Sequence, residues 1–201
     1  MIAALRALFA LVIFIAPDAV WAHPAFGGAG GFYGGMLHPL FVPAHVLAIV
    51  GAGLLIAQKA QRGSRAARWT GLIAFVAGLV AGFVAIASAY VPTLAGEALL
   101  ALAAITGTWV ALARPFLRFT PILLGALTGF AVALDSPPEV LSMREAIVIQ
   151  LGTFVGAALL FIALVEAMSR LKADWQRVGV RILGSWIAAS AILVLALRLA
   201  K

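Results

Sequence analysis

Two histidines, His38 and His45, lie seven residues apart in the apolar stretch Met36–Gln58. On an ideal helix this spacing puts both imidazoles on one face, about 10 Å apart along the axis, which is too far for both to bind one ion. Pro39 and Pro43 alter that geometry, because proline removes a backbone donor and kinks or begins a helix. An ionisable side chain deep in an apolar span is costly and is therefore a candidate functional group. The alternative is a neutral histidine that hydrogen-bonds to a neighbouring helix.

Several other polar residues could contribute to a cation site. If the chain is cleaved before His23, this residue would offer its α-amine and a ring nitrogen to one ion, a donor set that suits copper(II). Glu97, Asp135 and Glu139 are predicted at one side of the membrane, where carboxylates attract cations. Two alternatives stay open: His23 is an incidental terminal residue, and the carboxylates mark loops that merely lack bases.

The composition determines which elements position these groups. Of 201 residues, 65% are hydrophobic and 10% are charged, there is no cysteine, and the mean hydropathy is +1.15. Soluble domains average about 45–50% apolar and about 25% charged residues, so a soluble enzyme, a disordered chain and a disulfide scaffold are excluded. We predict an all-α membrane protein with six transmembrane helices after a cleavable signal peptide. The predicted spans are Met36–Gln58, Trp69–Tyr90, Leu94–Ala113, Phe119–Leu134, Ala146–Met168 and Ile182–Leu199.

The chain divides into three predicted parts. Residues 1–22 have one early base, a short apolar run and small or aliphatic residues before a cleavage point, which is typical of a secretory signal peptide. Residues 23–35 form a Gly-rich lead-in, and 36–201 form the transmembrane domain. The alternative for the first part is an uncleaved helix. No phosphate-binding loop, Ser-His-Asp set or zinc-protease motif is found in the sequence, so we expect no enzyme and no tightly bound cofactor.

The bases predict the orientation in an inner membrane. If the mature N-terminus is periplasmic, only Arg144, Arg198 and Lys201 lie outside, in agreement with the positive-inside rule. The net charge of +7 then reflects topology and contact with lipid headgroups, and no nucleic-acid partner is expected. The bases predicted to lie inside are Lys59, Arg62, Arg65, Arg68, Arg114, Arg118, Arg170, Lys172, Arg177 and Arg181.

The residues around the two histidines resemble a known motif. Gly31-Phe32, His38-Pro39 and His45-Val46-Leu47-Ala48 are similar to the first-helix motif of the HupE/UreJ family. The resemblance implies a cleaved signal peptide, about six transmembrane helices, and uptake of nickel or cobalt for hydrogenase and urease. It also implies a His-(x)5-Asp-His metal motif in the first helix.

The chain departs from that family pattern at three positions. The Asp expected before the second His is Ala44, and the histidines expected in the fourth helix are Thr128 and Val132. Asp135 stands where the pattern has its final carboxylate. The chain therefore resembles a divergent branch that has fewer imidazole and carboxylate ligands than the pattern implies.

These observations lead to two functional hypotheses of different kinds. The first is secondary uptake or binding of a divalent transition metal (nickel or cobalt, alternatively copper or zinc) through His38, His45 and Asp135. The second is a non-transporting membrane accessory that supports maturation of a metalloenzyme. A helical bundle whose histidines only pack is a third, simpler reading. The Gly-x-x-x-Gly motifs at Gly78, Gly125 and Gly152 predict close helix contacts, either within the chain or in a homo-oligomer.

Overall fold

The computed structural model describes residues 31–61, 65–88, 94–114, 119–138 and 142–200, and the regular structure in these ranges is entirely helical. The predicted all-α class is therefore confirmed for this part of the chain. The predicted signal peptide and residues 23–30 of the lead-in lie outside the described residues. The helices are α1 (Phe32–Phe41), α2 (Pro43–Gln61), α3 (Arg65–Ala87), α4 (Ala95–Leu112), α5 (Thr120–Leu134), α6 (Met143–Ser169) and α7 (Asp174–Leu199).

Five of these helices, α2, α3, α4, α6 and α7, are long and apolar enough to cross a membrane. The chain is therefore a multi-pass membrane protein. Helix α5 is also apolar but has only 15 residues, so the count of six spans remains a prediction. The first predicted span is corrected by the structure, because α1 and α2 together replace the single helix expected over Met36–Gln58.

The break between α1 and α2 lies at Val42 and follows from the proline after it. Val42 has an extended backbone, with φ −91° and ψ 110°, because the ring of Pro43 disfavours the helical region for the preceding residue. Pro43 then begins α2, where its missing N–H would have no helical partner in any case. The Val42 N–H still donates to His38 O at 3.2 Å, so the chain turns without losing this hydrogen bond.

Helix α2 is the centre of the bundle and contacts each of the six other described helices. Most of its residues are buried, and Ile49, Leu54 and Leu55 have no exposed surface. Next to it, the rings of Phe75 on α3 and Phe161 on α6 stack with their centroids 3.9 Å apart. His45, in the first turn of α2, has no exposed surface and is therefore shielded from both lipid and water.

Glycines hold two pairs of parallel helices at short range. Gly78 on α3 faces a backbone carbonyl of α5, and Gly129 on α5 faces a backbone carbonyl of α3. Gly152 and Gly156 on α6 face carbonyls of α1 in the same way. A Cβ at any of these positions would collide with the facing oxygen. These glycines therefore make helix contacts within the chain, which is one of the two alternatives that the sequence left open for them.

From α2 to α7 the helices alternate in direction, so the bundle has two chemically different ends. We call one the Asp135 end; it carries the first residues of α1, α4 and α6 and the last residues of α3, α5 and α7. The other we call the basic end. Arg144 and Arg198 are at the Asp135 end, whereas the basic end and the first turns of α7 carry Lys59, Arg65, Arg68, Arg114, Arg170, Lys172, Arg177 and Arg181.

Candidate metal site

The break at Val42 brings the two histidines together. His38 lies on α1 and His45 lies on the first turn of α2, and their ring centroids are 5.1 Å apart. The rings meet edge to face, at an interplanar angle of 73°. An unbroken helix would have separated them by about 10 Å along its axis. The break changes a pair that could not share an ion into neighbouring rings.

Asp135 closes the site from the opposite side of His45. It caps the C-terminus of α5, and its Oδ2 lies 3.0 Å from Nε2 of His45. The His45 side chain has no exposed surface, whereas Asp135 is 27% exposed. A carboxylate accepts hydrogen bonds, so in the neutral imidazole Nε2 carries the hydrogen and Nδ1 keeps a free lone pair.

Two imidazole nitrogens at this site are buried without a hydrogen-bond partner among the described residues. They are Nδ1 of His45 and Nε2 of His38. Buried polar atoms in folded proteins are nearly always paired, so two such atoms on adjacent rings indicate a missing ligand. Two imidazoles on one tetrahedral ion, with metal–nitrogen bonds of about 2.0–2.1 Å, place their ring centroids about 5 Å apart. The observed separation of 5.1 Å fits that arrangement.

The other predicted ligands are not part of this pair. Glu97, in the first turn of α4, forms an ion pair with Arg198 at 3.7 Å. His23 and Glu139 lie outside the described residues. Within the described ranges, no group of three or more His, Asp or Glu side chains is arranged to hold one ion. The site thus consists of two buried ring nitrogens without a partner among the described residues and a carboxylate behind one of the rings.

The three residues that depart from the family pattern are buried and take part in ordinary helix packing. Ala44 and Val132 belong to the core, and Val132 has no exposed surface. The Thr128 hydroxyl donates to Leu124 O at 2.7 Å, one turn back on α5. Thr128, Val132 and Asp135 follow at intervals of four and three, so they share one face of α5. Only the last of the three provides a ligand-type group.

Two polar residues, Arg198 near the site and Gln58 far from it, were not among the site residues predicted from the sequence. Arg198 was predicted only as an outer base, but its guanidinium lies beside Gly96 near Asp135. Gln58 is buried near the end of α2 and donates to Val110 O at 3.0 Å, while its Oε1 has no partner among the described residues. The signal for Gln58 was present, since an amide inside an apolar span needs a partner.

A cavity of about 410 Å³ lies at the basic end, between α2, α4 and α7. Gln58 and Gln61 line it from α2, and Arg177 and Arg181 line it from α7. Gln58 is thirteen residues after His45, which is about 20 Å along the helix. The cavity and the histidine pair are therefore separate features on one central helix.

A comparison with known families completes this description. The family model described as "HupE / UreJ protein" matches residues 10–194 of the chain. Comparisons with curated proteins and with solved structures give no match. The family match covers the histidine pair, the α5 stripe and nearly every described helix, and it confirms the resemblance found in the sequence. The chain belongs to the HupE/UreJ family.

Proposed function

We propose that this protein binds a divalent transition-metal ion between His38 and His45 and moves it across the inner membrane. One observation carries the proposal: the two orphaned nitrogens, His38 Nε2 and His45 Nδ1, are buried atoms on rings whose centroids are 5.1 Å apart. Imidazole nitrogens suit nickel, copper and zinc. Membership of the HupE/UreJ family supports a metal-related role in a membrane, with nickel or cobalt as the first ions to test.

Asp135 has a positioning role in this proposal. Its bond to Nε2 fixes the ring orientation and the tautomer of His45, so that Nδ1 is available to the ion. Carboxylate–histidine–metal arrangements of this kind raise the basicity of the ligating nitrogen. The negative charge of Asp135 also offsets part of the charge that the ion brings into a buried site.

The small number of protein ligands suits a cargo site better than a permanent metal centre. Two nitrogens leave further coordination positions without a protein ligand, so the protein does not complete the coordination of the ion. Conduction requires binding that is favourable enough for entry and weak enough for release. A fully ligated site of four protein groups, typical of structural zinc, would retain the ion.

Binding of Ni²⁺, Co²⁺, Cu²⁺ and Zn²⁺ to the purified full chain in detergent tests the site. We expect His38→Ala and His45→Ala each to weaken binding of the preferred ion at least tenfold, and Asp135→Asn to weaken it about 10- to 100-fold. Thr106→Val is the matched control, because Thr106 is equally buried but hydrogen-bonds only to its own helix. Unchanged affinity in both histidine variants would overturn the proposed site.

The alternative role is a membrane accessory for metalloenzyme maturation, which binds the ion without moving it. The complete burial of His45 inside the bundle favours this alternative, because an ion must pass packed helices to leave towards the basic end. Uptake of the bound ion into proteoliposomes separates the two roles. Uptake that is lost in His38→Ala/His45→Ala supports transport, whereas binding without uptake supports the accessory role.

A further inference from the structure

Arg198, in the last turn of α7, places a positive charge next to the candidate metal site. Its Nη1 lies 3.7 Å from Oε1 of Glu97. A Cβ built on Gly96 would lie 2.6 Å from the same Nη1 and 3.3 Å from Oδ1 of Asp135. The guanidinium and the Asp135 carboxylate therefore approach each other over Gly96 without forming an ion pair, and the missing side chain leaves room for both.

Asp135 is shared between two groups at this end of the bundle. Its Oδ2 binds His45, while its Oδ1 points to the region that Arg198 occupies. The two contacts over Gly96 place Nη1 and Oδ1 within about 6 Å of each other, a range at which opposite charges interact strongly at a protein surface. An incoming cation and the guanidinium thus interact with the same carboxylate.

We propose that Arg198 is a tethered counter-cation that restricts access of metal ions to the His38–His45 pair. This inference rests on the proposed function, and it identifies Arg198 as a residue that lowers the affinity of the candidate site for metal ions. Arg198 stays charged at every physiological pH, and its side chain is long and 47% exposed, so its charged head can leave the carboxylate without unfolding the helix. From the sequence, Glu97 was predicted to attract cations. In this proposal it instead holds the guanidinium of Arg198 when the ion enters.

The expected size of the effect follows from the charges. The contacts over Gly96 and the bond to His45 place Nη1 of Arg198 within about 12 Å of the His45 ring, and a unit charge about 12 Å from a divalent ion alters its binding about threefold in fully screening water. The effect grows as the effective dielectric constant falls towards that of a protein surface. We therefore expect Arg198→Gln to bind Ni²⁺ about 3-fold to 50-fold more tightly than the unmodified chain.

Titration calorimetry with Ni²⁺ on the full chain in detergent provides the test. Arg198→Lys retains the charge and should bind as the unmodified chain does. Arg144→Gln is the matched control, because it removes an exposed base from the same end, on α6, and should leave the affinity unchanged. Tryptophan fluorescence and size exclusion check that each variant is folded. Equal affinities for the unmodified chain and Arg198→Gln would overturn the inference while leaving the metal site intact.

Glu97 provides a second measurement that separates the two roles of this carboxylate. Loss of the Glu97 charge should by itself weaken Ni²⁺ binding about threefold in either background, because a unit charge near the ion acts through space. If Glu97 also holds Arg198 away from Asp135, Glu97→Gln should weaken binding more while Arg198 is present than it does in the Arg198→Gln background. An equal loss in both backgrounds would show that Glu97 only attracts cations, and it would contradict the inference. Absence of Ni²⁺ binding in the unmodified chain and in Arg198→Gln would overturn both proposals, whereas loss confined to the histidine variants supports the site itself.

Discussion

The hydrogen bond between His45 and Asp135 should give a measurable coupling energy in a double-mutant cycle. His45 has no exposed surface, and the bond joins α2 to the end of α5 at 3.0 Å. In Asp135→Ala the Nε2 of His45 loses its hydrogen-bond partner, while Nδ1 still has none. This loss should cost about 1–3 kcal/mol of unfolding free energy. In His45→Ala the carboxylate keeps its access to water, and the main cost is the cavity that the ring leaves.

Because the two single changes remove the same bond, their costs should not add. We expect a coupling energy of about 1.5–3 kcal/mol, the usual range for hydrogen bonds that involve a charged group. Unfolding in mixed detergent, followed by tryptophan fluorescence, measures the four proteins of the cycle without metal. Asp135→Asn keeps an oxygen acceptor and should cost less than Asp135→Ala. Additivity within about 0.5 kcal/mol would refute the bond as a link between α2 and α5.

Three further predictions concern packing, processing and topology. Gly129→Ala should destabilise the protein by about 1–3 kcal/mol because its Cβ would collide with a carbonyl of α3. Gly179→Ala, with nothing within 4 Å of the new Cβ, should be neutral or stabilise by up to about 1 kcal/mol; equal effects in unfolding assays would contradict the packing argument. Mass spectrometry of the protein purified from the membrane should give a mature chain that begins at His23, and an intact first residue would exclude cleavage. Since the chain has no cysteine, Arg144→Cys should react with an impermeant thiol reagent in spheroplasts and Lys172→Cys only after permeabilisation; the reverse pattern would invert the topology.

The sequence was most informative where a residue type is costly in its surroundings. His38 and His45 could be identified because imidazoles are rare inside apolar spans, and the nearby prolines predicted a break. The structure locates that break at Val42 and shows its effect, a ring separation of 5.1 Å. The helical class followed from length and apolarity in the same direct way.

Contacts between distant helices could not be derived from the same patterns. Glycine spacing predicted close packing, but not that Gly78 faces α5 or that Gly152 faces α1. Likewise, Glu97 was recognisable as a carboxylate, whereas its ion pair with Arg198 depends on how α4 packs against α7. A charge seen in sequence indicates only its side of the membrane, and its partner follows from tertiary packing.

The break at Val42 places the two histidines of the candidate metal site on helices with different attachments. His38 belongs to α1, which Gly152 and Gly156 hold tightly to α6, while His45 belongs to the central α2 and is bonded to Asp135 on α5. Any displacement of the α1–α6 pair relative to α2 therefore changes the distance between the two rings. By thermodynamic linkage, an ion bound to both imidazoles would favour the arrangement in which the α1–α6 pair lies closest to α2. Movement of that pair away from α2 would weaken binding of the ion.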